Sequence, residues 1–188
     1  MVKIILLGPP GTGKGTQANL LAKKFKSKPI SIGQLLRDNI KRKTKLGKIS
    51  EKYVSKGLNV PDKYVIGMVK KTLKKRKSFI LDDFPRTLGQ AIFFDKNFNA
   101  NYIILIDSTK KAILARLKRR RKIEGREDDK ERTIRKRLTI YDKITKKVIN
   151  YYDKRKALIK VDGSPTNNDK KNIVLTYNEI IRKINRKF

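Results

Sequence analysis

Five short runs of apolar and β-branched residues punctuate the chain: VKIILL at 2–7, KPISI at 28–32, SFILD at 78–82, NYIILID at 101–107 and ALIKVD at 157–162. Longer stretches with apolar residues at helical spacing separate them. Ala18, Leu21, Ala22 and Phe25 form one such stripe, and Ile173, Tyr177, Ile180 and Ile184 another near the C-terminus. Runs this short, bounded by turn residues, predict buried parallel strands, and their regular alternation with helices predicts an α/β fold with a doubly wound five-stranded sheet. Two polar, glycine-punctuated segments break the alternation, at 31–60 and about 121–129. Both are expected over the carboxyl edge of the sheet, where ligands bind in such folds, as a ligand-gripping insertion and a short lid. No internal repeat or linker divides the sequence, so residues 1–188 are expected to form one domain.

The first run leads directly into GPPGTGKGTQ at 8–17, followed by the amphipathic stripe. Gly8, Gly13 and Lys14 satisfy the G-x-x-x-x-G-K core of a phosphate-binding loop, in the strand-to-helix context that such a loop requires. Glycines let backbone N–H groups converge on phosphate oxygens, the helix N-terminus adds partial positive charge, and the lysine reaches the outer phosphates. Gly15 occupies the place where the pattern asks for Ser or Thr, and the hydroxyl arrives one residue later at Thr16. The expected fold is therefore that of a P-loop NTPase.

Composition narrows the chemistry. The chain has no Cys and no His, which removes thiol nucleophiles, imidazole bases, disulfides and a zinc site of the usual kind. Its 50 Lys and Arg against 17 Asp and Glu give a formal charge of +33. Such a surface attracts polyanions, nucleic acid included. The competing reading is a lysine-biased surface without a ligand, and it fits the scattered distribution, because no aromatic residues interleave with the basic runs as a single-strand platform needs. The opening apolar run stops at Gly8, so neither a membrane span nor a secretory leader is expected, and the protein is expected to be cytoplasmic.

Several motifs together resemble the adenylate kinase family: GPPGTGKGTQ at 8–17, ISIGQLLR at 30–37, GLNVPD at 57–62, FILDDFPRTLGQA at 79–91, GREDDKERTIRKRL at 125–138 and VDG at 161–163. The resemblance spans nearly the whole chain. It implies ATP held by Gly11, Thr12, Gly13, Lys14, Gly15 and Thr16, with Arg116 stacked on the base, Arg120 on the phosphates and the Gly163–Pro165 turn meeting the base. It implies AMP among Ile32, Arg37, Leu58, Asn59, Val60, Asp83, Phe84, Pro85, Arg86 and Gln90. Arg37 and Arg86 would clamp its phosphate as planar forks, and Arg126 and Arg137 would converge on the transferring group when the lid closes. Lys14, Arg86, Arg120, Arg126 and Arg137 are the implied catalytic set.

Individual residues add detail. Asp82 ends the third run at the sheet's carboxyl edge and suits Mg2+, usually through water in view of how few carboxylates that ion takes. Asp83 stands where the family usually has Gly, and either adds charge near the magnesium or faces solvent. The amide of Gln90 can donate and accept at once, complementing an adenine edge; the alternative is a Gln exposed on a helix. Asp128 and Asp129 orient arginines, as the resemblance implies; the alternative is that Asp128, with Glu131 three residues later, forms a capping box at the start of the following helix. Ile32 replaces a typical Thr, Gln34 a usual Asp and Arg121 a common Gly. The expected function is reversible transfer from MgATP to AMP in a chain that is a monomer by default. The alternatives are CMP, UMP or broad acceptor use, a nucleotide-gated RNA-binding factor, and a simple ATPase.

Overall fold

A computed structural model describes residues 1–186. Five parallel strands, β1 (Lys3–Leu7), β2 (Pro29–Ser31), β3 (Phe79–Asp82), β4 (Tyr102–Asp107) and β5 (Leu158–Asp162), form one sheet in the order β2-β3-β1-β4-β5. The helices are α1 (Lys14–Lys24), α2 (Ile32–Lys41), α3 (Lys45–Val54), α4 (Asp62–Leu73), α5 (Leu88–Asn97), α6 (Lys110–Glu124), α7 (Glu131–Ile140), α8 (Lys146–Lys154) and α9 (Asp169–Asn185). A 3-10 turn at Glu127–Asp129 precedes α7, and a π-helical stretch at Tyr141–Thr145 joins α7 to α8.

Alternate residues of a strand face opposite sides of a sheet, and β1 divides the core accordingly. Ile5 and Leu7 pack with Phe79, Leu81, Phe94, Val69, Val148 and Tyr152 under α4, α5 and α8. Ile4 and Leu6 pack with Ile80, Ile104, Ile159, Leu21 and Ile180 under α1 and α9. Being covered on both faces explains why these strands read as continuous apolar runs instead of alternating ones. β1 lies between β3 and β4, with Ile5 aligned to Leu81 on one side and Ile103 on the other. The chain turns one way from β1 to build β2 and β3 and the other way for β4 and β5, so the loop leaving β1 opens at the switch point, where a crevice forms.

Two expectations need correction. Ile32 does not end a strand; β2 stops at Ser31, whose hydroxyl accepts the Gln34 N–H at 3.3 Å and caps α2, so Ile32 is the first helical residue. The buried stripe of α9 is Asn172, Thr176, Ile180 and Ile184, and Ile173 is exposed. The first turns of α9 face the loop after β5, not the apolar core: Asn172 exchanges hydrogen bonds with Thr166, and the Thr176 hydroxyl donates to the Asp162 carbonyl. Among the described residues no helix is long and apolar enough to cross a membrane.

Candidate active site

The loop from β1 to α1 wraps tightly. Gly8 has φ 142°, and a Cβ there would run into the Ile106 carbonyl oxygen, so only glycine lets the loop pass the end of β4. The Thr12 hydroxyl donates to the Pro9 carbonyl at 3.1 Å, and Lys14 Nζ donates to the carbonyls of Gly8 (2.9 Å) and Pro9 (2.8 Å). Lys14 is buried, and that burial lowers its proton affinity against the opposing pull of Asp83 and Asp82. Gly13 is left-handed at φ 91°, and α1 begins at Lys14, which directs the first N–H groups of the helix into the crevice.

Asp82 and Asp83 adjoin this loop. Asp82 is buried and its Oδ1 has no hydrogen-bond partner; burial first, then Asp83, pushes its carboxyl up to about 7. Asp83 lies within 3.1 Å of Arg86 Nη2. Burial alone would raise its carboxyl, but Arg86, Lys14, Arg137 and Arg37 outweigh that and hold it well below the usual range. Asp83 therefore sits among cations instead of facing solvent. Its backbone is left-handed, φ 67°, a region that Asp tolerates better than most residues.

The lid arginines are tied to two acids. Arg120 makes a two-pronged bond to Asp129 (2.6 and 2.7 Å), Arg126 another to Asp128 (3.1 and 2.8 Å), and Arg137 Nη1 donates to Asp129 Oδ1 (2.7 Å) and the Asp128 carbonyl (3.0 Å). Both acids are buried. Burial pushes the Asp128 carboxyl up, but Arg126 and Arg137 prevail and hold it at about 2. The capping alternative fails, because Lys130 occupies the N-cap of α7 and no side chain caps that helix. Arg121 to Glu124 belong to the last turn of α6, which ends at left-handed Gly125. Arg116, one turn before Arg120, is held by Asp169 (2.7 Å) and the Gly163 carbonyl (2.9 Å).

A second hollow opens between α2, the segment 57–60 and α5. Ile32, Leu36, Leu58, Val60 and Val65 supply its apolar wall, with Arg37, Asn59, Asp83, Arg86, Gln90 and Arg137 around it. Asn59 Nδ2 is buried without an acceptor, while Asn59 Oδ1 accepts from Arg86 at 3.4 Å. Arg37 is turned toward Gln34 Oε1 at 2.8 Å. Gln90 is buried rather than exposed on its helix; its Oε1 accepts the Arg86 N–H at 2.8 Å and its Nε2 donates to Asp62 at 2.7 Å. The two flaps touch at Gly57, φ 68°, where a Cβ would come within 2.8 Å of Thr133 Cγ2 on α7.

One cavity of about 820 Å³ is lined by Gly11 to Thr16, Arg37, Asp82, Asp83, Arg116, Arg120, Arg126 and Arg137. Phe84, Pro85 and Arg86 line a small neighbouring cavity that shares Lys14, Asp83 and Arg137. Pro165 stands apart, exposed on the loop after β5 and lining none of these hollows, while Gly163 lines the large one. Three partners escaped sequence reasoning: Asp169, which holds Arg116; Thr145, whose hydroxyl donates to the Arg86 carbonyl at 3.1 Å; and Asp62, which holds Gln90. Only Asp62 lay within a quoted motif, and nothing about a carboxylate that opens a helix indicates which amide it will meet.

Among the described residues no three Asp, Glu, His or Cys side chains cluster as a metal cage. The unpartnered Asp82 oxygen beside the phosphate loop nonetheless fits an ion that takes one or two carboxylates and completes its shell with water and phosphate oxygens.

Residues 6–157 match the family model described as Adenylate kinase. A curated adenylate kinase of Chloroherpeton thalassium is 39% identical, covering 87% of this chain and 91% of the relative. One of Thermus thermophilus is 38% identical over 87% and 89% of the two chains. A third, of Azobacteroides pseudotrichonymphae, is 36% identical over the full length of both.

Proposed function

The chain belongs to the adenylate kinase family, and on that premise we propose that it moves the γ-phosphoryl group of MgATP onto AMP, giving two ADP, by means of the residues described above. The observation that carries this reading is the sharing of Arg137. It lines both the large cavity of the phosphate loop and the hollow beside Arg37 and Gln90, so one guanidinium faces both sides of the gap that the phosphoryl group would cross.

In this reading the backbone of Gly11 to Thr16 cradles the donor's phosphates. Lys14 exchanges the carbonyls of Gly8 and Pro9 for phosphate oxygens. An oxygen of the AMP phosphate attacks the γ-phosphorus in line, and the bond to the β,γ-bridging oxygen breaks, releasing ADP. Arg120, Arg126 and Arg137 lie against the moving oxygens, where fixed donors stabilise spreading charge most. Arg37 and Arg86 hold the acceptor's phosphate. Because a phosphate oxygen is already nucleophilic, no base is needed, in keeping with a chain lacking His. Asp82, with Asp83 nearby, would hold Mg2+ through water, and the ion would supply positive charge to offset that of the donor's phosphates. Arg116 and Gly163 border the donor's base, and Ile32, Leu58, Asn59, Val60 and Gln90 the acceptor's.

The test is ADP formation from MgATP with AMP, CMP, UMP or GMP as acceptor. AMP is expected to support the fastest turnover, and Lys14→Met to lower kcat by about 10²–10³-fold with an unchanged circular dichroism spectrum. Absence of AMP-dependent ADP would remove the reading, and preference for CMP or UMP would move it to a pyrimidine acceptor.

A further inference from the structure

The amide of Gln90 is not free to turn. A primary amide can face a partner in two ways, related by a half-turn that exchanges its oxygen and nitrogen, and the two present opposite hydrogen-bond polarity. Here both ends are engaged inside the protein. Oε1 accepts the backbone N–H of Arg86 (2.8 Å), which can only donate, and Nε2 donates to Asp62 Oδ1 (2.7 Å), whose carboxylate accepts. The half-turned amide would set N–H against N–H and oxygen against oxygen in a buried corner. Asp62 is itself held: its Oδ2 accepts the Thr87 hydroxyl at 2.6 Å, and Thr87 Oγ1 accepts the Gln90 N–H at 3.2 Å as the N-cap of α5. Gly89 leaves no slack on the other side, since a Cβ there would lie 3.2 Å from Asp62 Oδ2.

We infer that Asp62 helps set purine selectivity: with the Arg86 N–H it locks Gln90 in one orientation, whose remaining donor and acceptor serve a 6-aminopurine and oppose a 6-oxopurine. The inference rests on the proposed docking of the acceptor's base beside Gln90, which lines that hollow. An amide carries two N–H donors and two acceptor lone pairs. One of each is used internally, and one of each remains for the ligand. Adenine offers an amino donor next to a ring-nitrogen acceptor, and a 6-oxopurine offers an oxygen acceptor next to a ring N–H. A freely turning Gln would serve both bases by the half-turn. A locked one serves adenine and leaves the oxopurine with mismatched buried partners, the circumstance in which polar sites discriminate most strongly. Asp62 touches no substrate in this arrangement. It is a positioning residue acting through Gln90.

Asp62→Asn tests this, because Asn has nearly the same shape but can present an NH2 group to Gln90 Nε2, which removes one of the two contacts that hold the amide and leaves only the Arg86 N–H to oppose the half-turn. The measurement is kcat/KM for AMP and for IMP at saturating MgATP, with the KM for ATP recorded alongside. Wild type is expected to favour AMP strongly. Asp62→Asn is expected to narrow the AMP-to-IMP ratio by about tenfold or more, through a higher KM for AMP and a lower KM for IMP, with the KM for ATP unchanged. Thr87→Val, which removes the hydroxyl that steadies Asp62 and caps α5, is expected to narrow the ratio in the same direction by less, and it carries the test should Asp62→Asn not fold. Gln90→Ala separates the two levels of the argument. If it leaves the ratio as in wild type, the base does not dock beside Gln90 and the underlying reading fails. If Gln90→Ala collapses the ratio while Asp62→Asn and Thr87→Val preserve it, docking stands and the lock is overturned.

Discussion

Asp82 and Asp83 are neighbours in sequence with opposite proton affinities. Asp82 is buried with one oxygen unpartnered, which raises its carboxyl to about 7, whereas Asp83 is surrounded by Arg86, Lys14, Arg137 and Arg37 and ionises more readily than usual. A one-residue step across a strand end thus separates a carboxyl with an unpartnered oxygen from one surrounded by cations. The consequence for stability has a definite sign. Between the ordinary carboxylate range and about pH 7 the folded chain keeps the Asp82 proton that the unfolded chain has lost, so the unfolded state binds fewer protons and stability falls as pH rises. The opposite contribution of Asp83 lies at more acid pH, below the usual carboxylate range. With no His in the chain, little else titrates in this window. Thermal melts of nucleotide- and magnesium-free protein should lose up to roughly 1.4 kcal/mol per pH unit between about pH 4.5 and 7, and Asp82→Asn should flatten that slope. An equally steep slope in the variant would mean that Asp82 is not the group responsible. The acid itself was legible in the sequence as the last residue of an apolar run. Its altered proton affinity was not, because that depends on how deeply the packed elements bury it and on the charge of Asp83 beside it.

At the scale of elements, α6, the 3-10 turn and α7 are held together by charge as much as by apolar contact. Ile113, Leu117 and Ile134 form only a small cluster, while Arg120, Arg126 and Arg137 meet Asp128 and Asp129 beside it. Removing one member of a buried charged network leaves the others desolvated and unpaired. Asp129→Asn should therefore cost about 3 kcal/mol in stability and, by freeing Arg120 and Arg137 to swing, reduce kcat by about tenfold or more. Asp142→Asn, which breaks the exposed pair with Lys146, provides the contrast and should leave stability almost unchanged. Denaturant melts and steady-state kinetics on the two variants check this, and equal effects would deny the lid cluster any special weight. The sequence indicated an acidic pair among arginines but left two roles open for it. The decision came from where α7 begins: with Lys130 at the N-cap, Asp128 lies too early to cap that helix and turns instead toward Arg126 and Arg137.

Across the whole molecule, a formal charge of +33 is distributed over nearly every helix, so the folded state carries substantial self-repulsion. Raising salt from about 10 mM to about 150 mM shortens the screening length from roughly 30 Å to roughly 8 Å. The melting temperature should climb over that range, and a flat or falling trend would show that local pairs such as Lys183 with Glu179 already offset the excess. The same abundance of cations limits what a linear reading can assign. The five strands, the phosphate loop between β1 and α1 and the helical stripe of α1 follow from residues close together in sequence, because period, glycine placement and strand-to-helix context are short-range properties. Which acid each arginine meets, that Gln90 is fastened by Asp62 across 28 positions, and that the first turns of α9 bury Asn172 and Thr176 instead of Ile173 were decided by tertiary structure. Those pairings join interchangeable groups, and only packing of the elements selects among them.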